Sequence, residues 1–96
     1  GLAKAAIMTG IIHHLIIDCG LSIKLFYSNL AILFDSILLE FPMESDPMVQ
    51  LLIRKKNELI PWDWENEHLP ICEKYFLVGQ KVQISKSRFL VELTKR

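Results

Sequence analysis

The sequence has few of the residues that mark a secreted or membrane-spanning protein. Its 96 residues include two cysteines, Cys19 and Cys72, too few for the disulfide framework of a small secreted domain. No apolar run reaches the roughly 18 to 20 residues that a membrane-spanning helix needs. No signal-peptide cleavage site follows the first apolar stretch. We therefore expect an intracellular protein of the cytoplasm or nucleus, kept reduced and without a membrane span.

An excess of charge of one sign is also absent. Eleven basic and eleven acidic residues give a formal net charge of zero. Residues 1–48 carry two basic and five acidic groups, whereas residues 49–96 carry nine basic and six acidic groups. This difference is too small to indicate a nucleic-acid-binding protein, for which a strongly basic domain is expected.

Motifs of catalysis and metal binding are missing as well. The sequence contains no glycine-rich phosphate loop, no CxxC or HExxH pattern and no recognisable nucleophile motif. His14 and Asp18 are four residues apart, as are His68 and Cys72, and these residue types can bind zinc. The neighbouring histidines His13 and His14 could also exchange protons with Asp18. Ordinary structural roles explain these residues better, so we predict no enzyme, no catalytic residue, no metal and no cofactor.

Apolar residues are what the chain has in abundance, at 51% of the total. Residues 20–41 would form a helix that is hydrophobic nearly all round, with a narrow polar strip of Lys24, Ser28 and Asp35, which is typical of a central, buried element. The sequence therefore predicts a single all-α domain over residues 1–96. We expect a small helical bundle of four to five helices around this central hydrophobic helix. A fragment of a longer helical-repeat protein fits the same pattern.

The first helix is predicted over residues 2–18, where apolar pairs recur every four residues. Gly10 lies inside this helix, and we expect it to allow the close approach of another helix. Gly20 has the position of a left-handed residue that ends a helix. Ser22 is then predicted to cap the central helix.

Further helices are predicted after the central one. Asp46 is expected to cap a third helix over residues 47–60, and a fourth helix is predicted over residues 70–78. The segment between them, residues 61–70, is irregular in pattern. Its two tryptophans are expected to fold back onto the core.

The tail, residues 80–96, fits two structures. An alternation of apolar and polar residues favours a β-hairpin, but its two-residue turn would be Lys86-Ser87, without the glycine or asparagine that such turns prefer. We therefore predict a helix in the tail.

The surplus of apolar residues favours protein–protein interaction as the function, in a non-enzymatic adaptor, scaffold or complex subunit. The partner is another protein chain or a second copy, as in a homodimer. The predicted partner-binding residues combine aromatic or apolar groups with carboxylates: Trp62, Asp63, Trp64, Glu65, Phe89 and Leu90. The alternative is a small helical nucleic-acid-binding domain, with a basic patch in the second half of the chain: Arg54, Lys55, Lys56, Lys86 and Arg88.

Overall fold

The computed structural model describes residues 4–96 and has a mixed α/β fold with 29% strand and 40% helix. The predicted all-α bundle is therefore wrong. Four strands and three α-helices occur in chain order as β1 (Ala5–Met8), α1 (Ile23–Leu33), β2 (Ser36–Pro42), α2 (Pro47–Lys56), α3 (Leu69–Cys72), β3 (Phe76–Gln83) and β4 (Arg88–Lys95). Two π-helical turns, at His14–Asp18 and Trp64–His68, complete the helical segments.

The four strands form one sheet in the order β1-β2-β4-β3. β1 and β2 are parallel, and helix α1 lies between them in the chain, as a crossover between parallel strands requires. β4 is antiparallel to both β2 and β3. Thus β1 and β3 are the two edges of the sheet.

The central helix predicted over residues 20–41 is instead a helix followed by a strand. Helix α1 ends at Leu33, and Phe34 has extended backbone angles. A short apolar run such as Ile37 to Leu39 looks the same in a buried helix and in a buried strand. Residues 36–42 form a strand because they pair with β1 on one side and with β4 on the other. The predicted Ser22 cap is confirmed, because its side chain accepts a hydrogen bond from Leu25 N–H at 3.1 Å.

The helix predicted over residues 2–18 is wrong in its first part, whereas its last residues, His14–Asp18, form a π-helical turn. Leu2 and Ala3, where it was expected to begin, lie outside the described residues, and residues 5–8 form β1. Gly10 does not admit a second helix; it has a positive φ of 63° in the turn after β1, and its N–H donates to the Glu40 carboxylate at 2.9 Å. The left-handed conformation predicted for Gly20 is confirmed by its φ of 74°.

In the second half of the chain, the tail differs most from the structure predicted from the sequence. The predicted tail helix is wrong, since residues 76–95 form a β-hairpin with a bulge between Val78 and Lys81. Its connection spans residues 84–87, so the glycine-dependent two-residue turn is not needed. The helix predicted over residues 70–78 ends at Cys72. The third helix begins at Pro47 with the Asp46 cap, as predicted, but ends at Lys56, before left-handed Asn57.

The hydrophobic core lies on one face of the sheet. Side chains alternate between the two faces of a strand, and in β2 Ile37, Leu39 and Phe41 are fully buried. Aromatic residues of the segment after α2 pack on this face, where the Trp62 ring stacks on Phe41 at 5.5 Å. Helix α1 adds Tyr27, which contacts His68 edge to face.

Candidate functional site

The opposite face of the sheet, which we call the open face, carries exposed apolar side chains. The strand registers place these residues on it: Ala5, Ile7, Ser36, Leu38, Glu40, Leu77, Val82, Leu90, Glu92 and Thr94. Ile7 is 74% exposed and lies opposite Leu38, which is 36% exposed. A sheet that is mostly antiparallel can leave one face in water, but that face is then normally polar, whereas here Ile7, Leu77 and Val82 are more than half exposed. The open face is therefore apolar surface that the described part of the chain leaves uncovered.

A shallow hollow lies on the open face beside the sheet edge. It has a volume of 360 Å³ and is lined by Ala5, Ile7, Ser36, Leu38 and Glu92, among others. Ala5 and Ser36 lie opposite each other, and their small side chains leave the space that the larger neighbours surround. β1 pairs with β2 alone among the described strands, so its outer edge presents backbone groups that another strand can pair with. The sheet edge and the hollow together form a surface suited to a second polypeptide.

The residues predicted from sequence to bind a partner are divided between the core and the surface. Trp62, Trp64 and Phe89 are buried, with exposed fractions of 3%, 5% and 3%. Trp62 Nε1 donates to the carbonyl oxygen of Pro42 at 2.7 Å, so this ring closes the core. Leu90, the next residue after Phe89, faces the other side of the sheet and belongs to the open face.

Two carboxylates from the predicted set lie beside the buried rings. The Asp63 carboxylate accepts a hydrogen bond from Asn66 N–H at 2.8 Å and so caps the π-helical turn. Glu65 is exposed and pairs with Lys81 at 3.2 Å. Both carboxylates line a small groove together with Trp64. A role of these residues in partner binding stays a prediction.

The predicted basic patch includes one residue whose charge is already paired. Arg88 contacts the carboxylates of Asp46 and Glu40, each at 2.9 Å. The remaining basic residues lie on the last turn of α2, Arg54 to Lys56, and in the β3–β4 connection, at Lys86. The nucleic-acid alternative therefore rests on fewer free cations than the sequence suggested.

Asp46 and Arg88 are the centre of a polar network at the carboxyl ends of β1 and β2. Burial alone would raise the pKa of Asp46, but hydrogen bonds from Arg88, Ser87 and the Met48 N–H outweigh burial and lower it to about 2. The two carboxylates raise the pKa of Arg88 in turn. All groups of the network have partners within it, so it ties the strand ends together.

The two buried histidines are neutral. Burial, with smaller contributions from His14 and Arg88, lowers the pKa of His13 to about 4. Burial lowers the pKa of His68 to about 3, and its Nδ1 shares a hydrogen bond of 2.9 Å with the Tyr27 hydroxyl. Both rings lie inside the protein, with exposed fractions of 1% for His13 and 0% for His68.

Metal ligands are not grouped in residues 4–96: no three His, Cys, Asp or Glu side chains come together there in an arrangement that could hold an ion. Of the pairs noted in the sequence, His14 and Asp18 begin and end one π-helical turn, whereas His68 ends the second turn and Cys72 ends α3. Across the same residues, no helix has the length and apolar character to cross a membrane.

Comparisons with protein-family models, with curated proteins and with solved structures found no match to this chain. Sequence reasoning had not singled out Ile7 or Leu38 for the open face. A period-two pattern through β1 and β2 would have been the signal, but it is hidden because apolar residues occupy both faces of these strands.

Proposed function

We propose that this chain is a non-enzymatic protein–protein interaction domain, an adaptor or complex subunit, that docks on another polypeptide through the open face. The observation that carries the proposal is the uncovered parallel pair β1/β2 with Ile7 and Leu38 exposed on it. Covering these side chains removes apolar surface from water at roughly 25 cal/mol per Å². The free edge of β1 adds backbone hydrogen bonds as a second source of affinity.

A second copy of the chain is the partner we propose first. Two open faces meet as apolar surface against apolar surface, and the formal net charge of zero removes overall repulsion between copies. A two-fold arrangement in which the open faces stack on each other closes the assembly at two chains.

The test is the molar mass by size-exclusion chromatography with light scattering over a concentration series, for the parent and for Leu38→Lys. Leu38 lies opposite Glu92, so the new lysine gains an opposite charge across the strands and the folded monomer is preserved. We expect a dimer in the parent and a dissociation constant at least about tenfold weaker in the variant, about 1.4 kcal/mol.

Leu59→Lys is the matched control, because Leu59 is 99% exposed and lies outside the sheet. It makes the same chemical change and should leave the molar mass profile as in the parent. A monomer at every concentration, or equal weakening by Leu38→Lys and Leu59→Lys, would contradict the proposal.

A further inference from the structure

A small groove lies beside the π-helical turn Trp64–His68, on the side of the sheet that carries the core. It has a volume of 140 Å³, the size for one side chain rather than a whole ligand, and the residues that line it are Met43, Glu44, Asp63, Trp64, Glu65, Lys81 and Phe89. We call it the acidic groove. Its aromatic wall is formed by Trp64 and Phe89, whose rings meet edge to face at 5.4 Å.

The groove has an excess of negative charge. Three of its lining residues are acidic, Glu44, Asp63 and Glu65, and one is basic, Lys81. Three formal negative charges and one positive charge leave two negative charges in a groove with an aromatic wall. This combination complements a cation that has an apolar stem.

The protein already places a cation of its own in this groove. Lys81 Nζ lies 4.8 Å from the centroid of the Phe89 ring and 3.2 Å from the Glu65 carboxylate. Its side chain is 45% exposed and that of Glu65 is 61% exposed. An ion pair this exposed contributes little stability, so a competing cation can displace Lys81 at small cost.

We propose that the acidic groove binds an arginine side chain of a partner protein. Arginine suits it better than lysine, because a planar guanidinium donates hydrogen bonds to a carboxylate through two N–H groups at once. This inference rests on the proposed function, that the chain binds another protein, and adds the chemistry of a second contact. The open face provides apolar contact, and the groove selects partners by charge.

The test uses the peptide acetyl-Gly-Arg-Gly-amide as the probe and its citrulline counterpart as the neutral control. Binding is followed by the two tryptophan indole signals in ¹⁵N-resolved NMR spectra of the intact chain. The Trp64 signal should shift on titration with the arginine peptide. The Trp62 signal should not, since its Nε1 is bonded to Pro42 inside the core. The citrulline peptide should shift neither signal.

Three variants test the charge argument. Lys81→Ala removes the resident cation and should tighten binding of the arginine peptide by at least about threefold, and Glu65→Gln should weaken it by a similar factor. Glu67→Gln is the matched control, because Glu67 lies on the same turn but does not line the groove. The affinity of Glu67→Gln for the arginine peptide should equal that of the parent.

The inference is overturned if the Trp64 signal does not respond, if the citrulline peptide gives the same shift, or if Lys81→Ala and Glu67→Gln behave alike. The Leu38→Lys molar mass series reports on the proposed function separately. If association depends on Leu38 but the Trp64 signal does not shift, arginine binding in the acidic groove is overturned, and the proposed protein–protein interaction function is retained.

Discussion

Replacement of Arg88 by methionine should destabilise this protein strongly, although the arginine side chain is 25% exposed. Its Nε and Nη2 donate to the two carboxylate oxygens of Asp46 at 2.9 and 3.3 Å, and its Nη1 donates to Glu40 at 2.9 Å. Methionine keeps much of the apolar stem and removes all three hydrogen bonds. Two carboxylates then remain at the carboxyl ends of β1 and β2 without a cation, and the Asp46 side chain is only 4% exposed.

The expected loss follows from these contacts. Breaking a buried ion pair by removing one partner costs about 3 to 5 kcal/mol, and the exposed fraction of Arg88 lets water replace part of the interaction. We therefore expect the free energy of unfolding to fall by about 2 to 3 kcal/mol at pH 7. Urea unfolding followed by tryptophan fluorescence measures this, with a midpoint lowered by on the order of 1 M.

Arg54→Met is the control for the loss of a positive charge, because Arg54 is exposed and makes one long hydrogen bond, 3.4 Å to Gln50. It should change the free energy of unfolding by less than about 0.5 kcal/mol. If Arg88→Met destabilises no more than Arg54→Met, the stabilising role of the polar network is refuted.

The same variant should also change the pH dependence. The pKa of Asp46 is about 2 in the folded protein, below its ordinary value of 3.8. The ionised carboxylate therefore contributes stability that is present above about pH 4 and is lost as the pH falls through about 2. Arg88 provides much of the lowering of the Asp46 pKa. The difference in free energy of unfolding between the parent and Arg88→Met should therefore become smaller as the pH falls from about 4 to about 2. A gap that stays constant would show that Arg88 does not lower the pKa of Asp46.

The remaining predictions concern buried histidines and thiols. Burial lowers the pKa of His68 to about 3 and of His13 to about 4, from 6.5. The unfolded chain therefore takes up protons first, and the free energy of unfolding should fall below pH 6.5 by up to roughly 1.4 kcal/mol per pH unit per histidine; equal urea midpoints at pH 7 and pH 5 would exclude this. Cys19 is exposed, whereas burial raises the pKa of Cys72 to about 12. Ellman's reagent should titrate one thiol in the folded protein and two in urea.

Local signals in the sequence predicted part of the fold correctly. The capping residues Ser22 and Asp46 and the left-handed Gly20 were found because each acts through its own backbone within a few residues. The packing of both tryptophans against the core was also expected, and Trp62 and Trp64 are buried.

Strand pairing was missed because it depends on residues far apart in the chain. β2 pairs with β4, which lies about fifty residues further along the chain. No local pattern in residues 36–42 indicates that β4 is the pairing strand. Apolar side chains on both faces of β1 and β2 concealed the alternation that identifies a strand. The all-α prediction therefore failed at the sheet, and with it the location of the apolar surface at Ile7 and Leu38.

Photo-crosslinking at position 7 tests the central claim, contact through the open face, most directly. A photoreactive phenylalanine analogue replaces Ile7, which is 74% exposed on the open face, or Leu59, which is 99% exposed outside the sheet. We predict a covalent dimer from position 7, with the linked peptide mapping to β1 or β2, and little dimer from position 59. Equal yields at the two positions, or adducts from position 7 that map away from the sheet, would contradict contact through the open face.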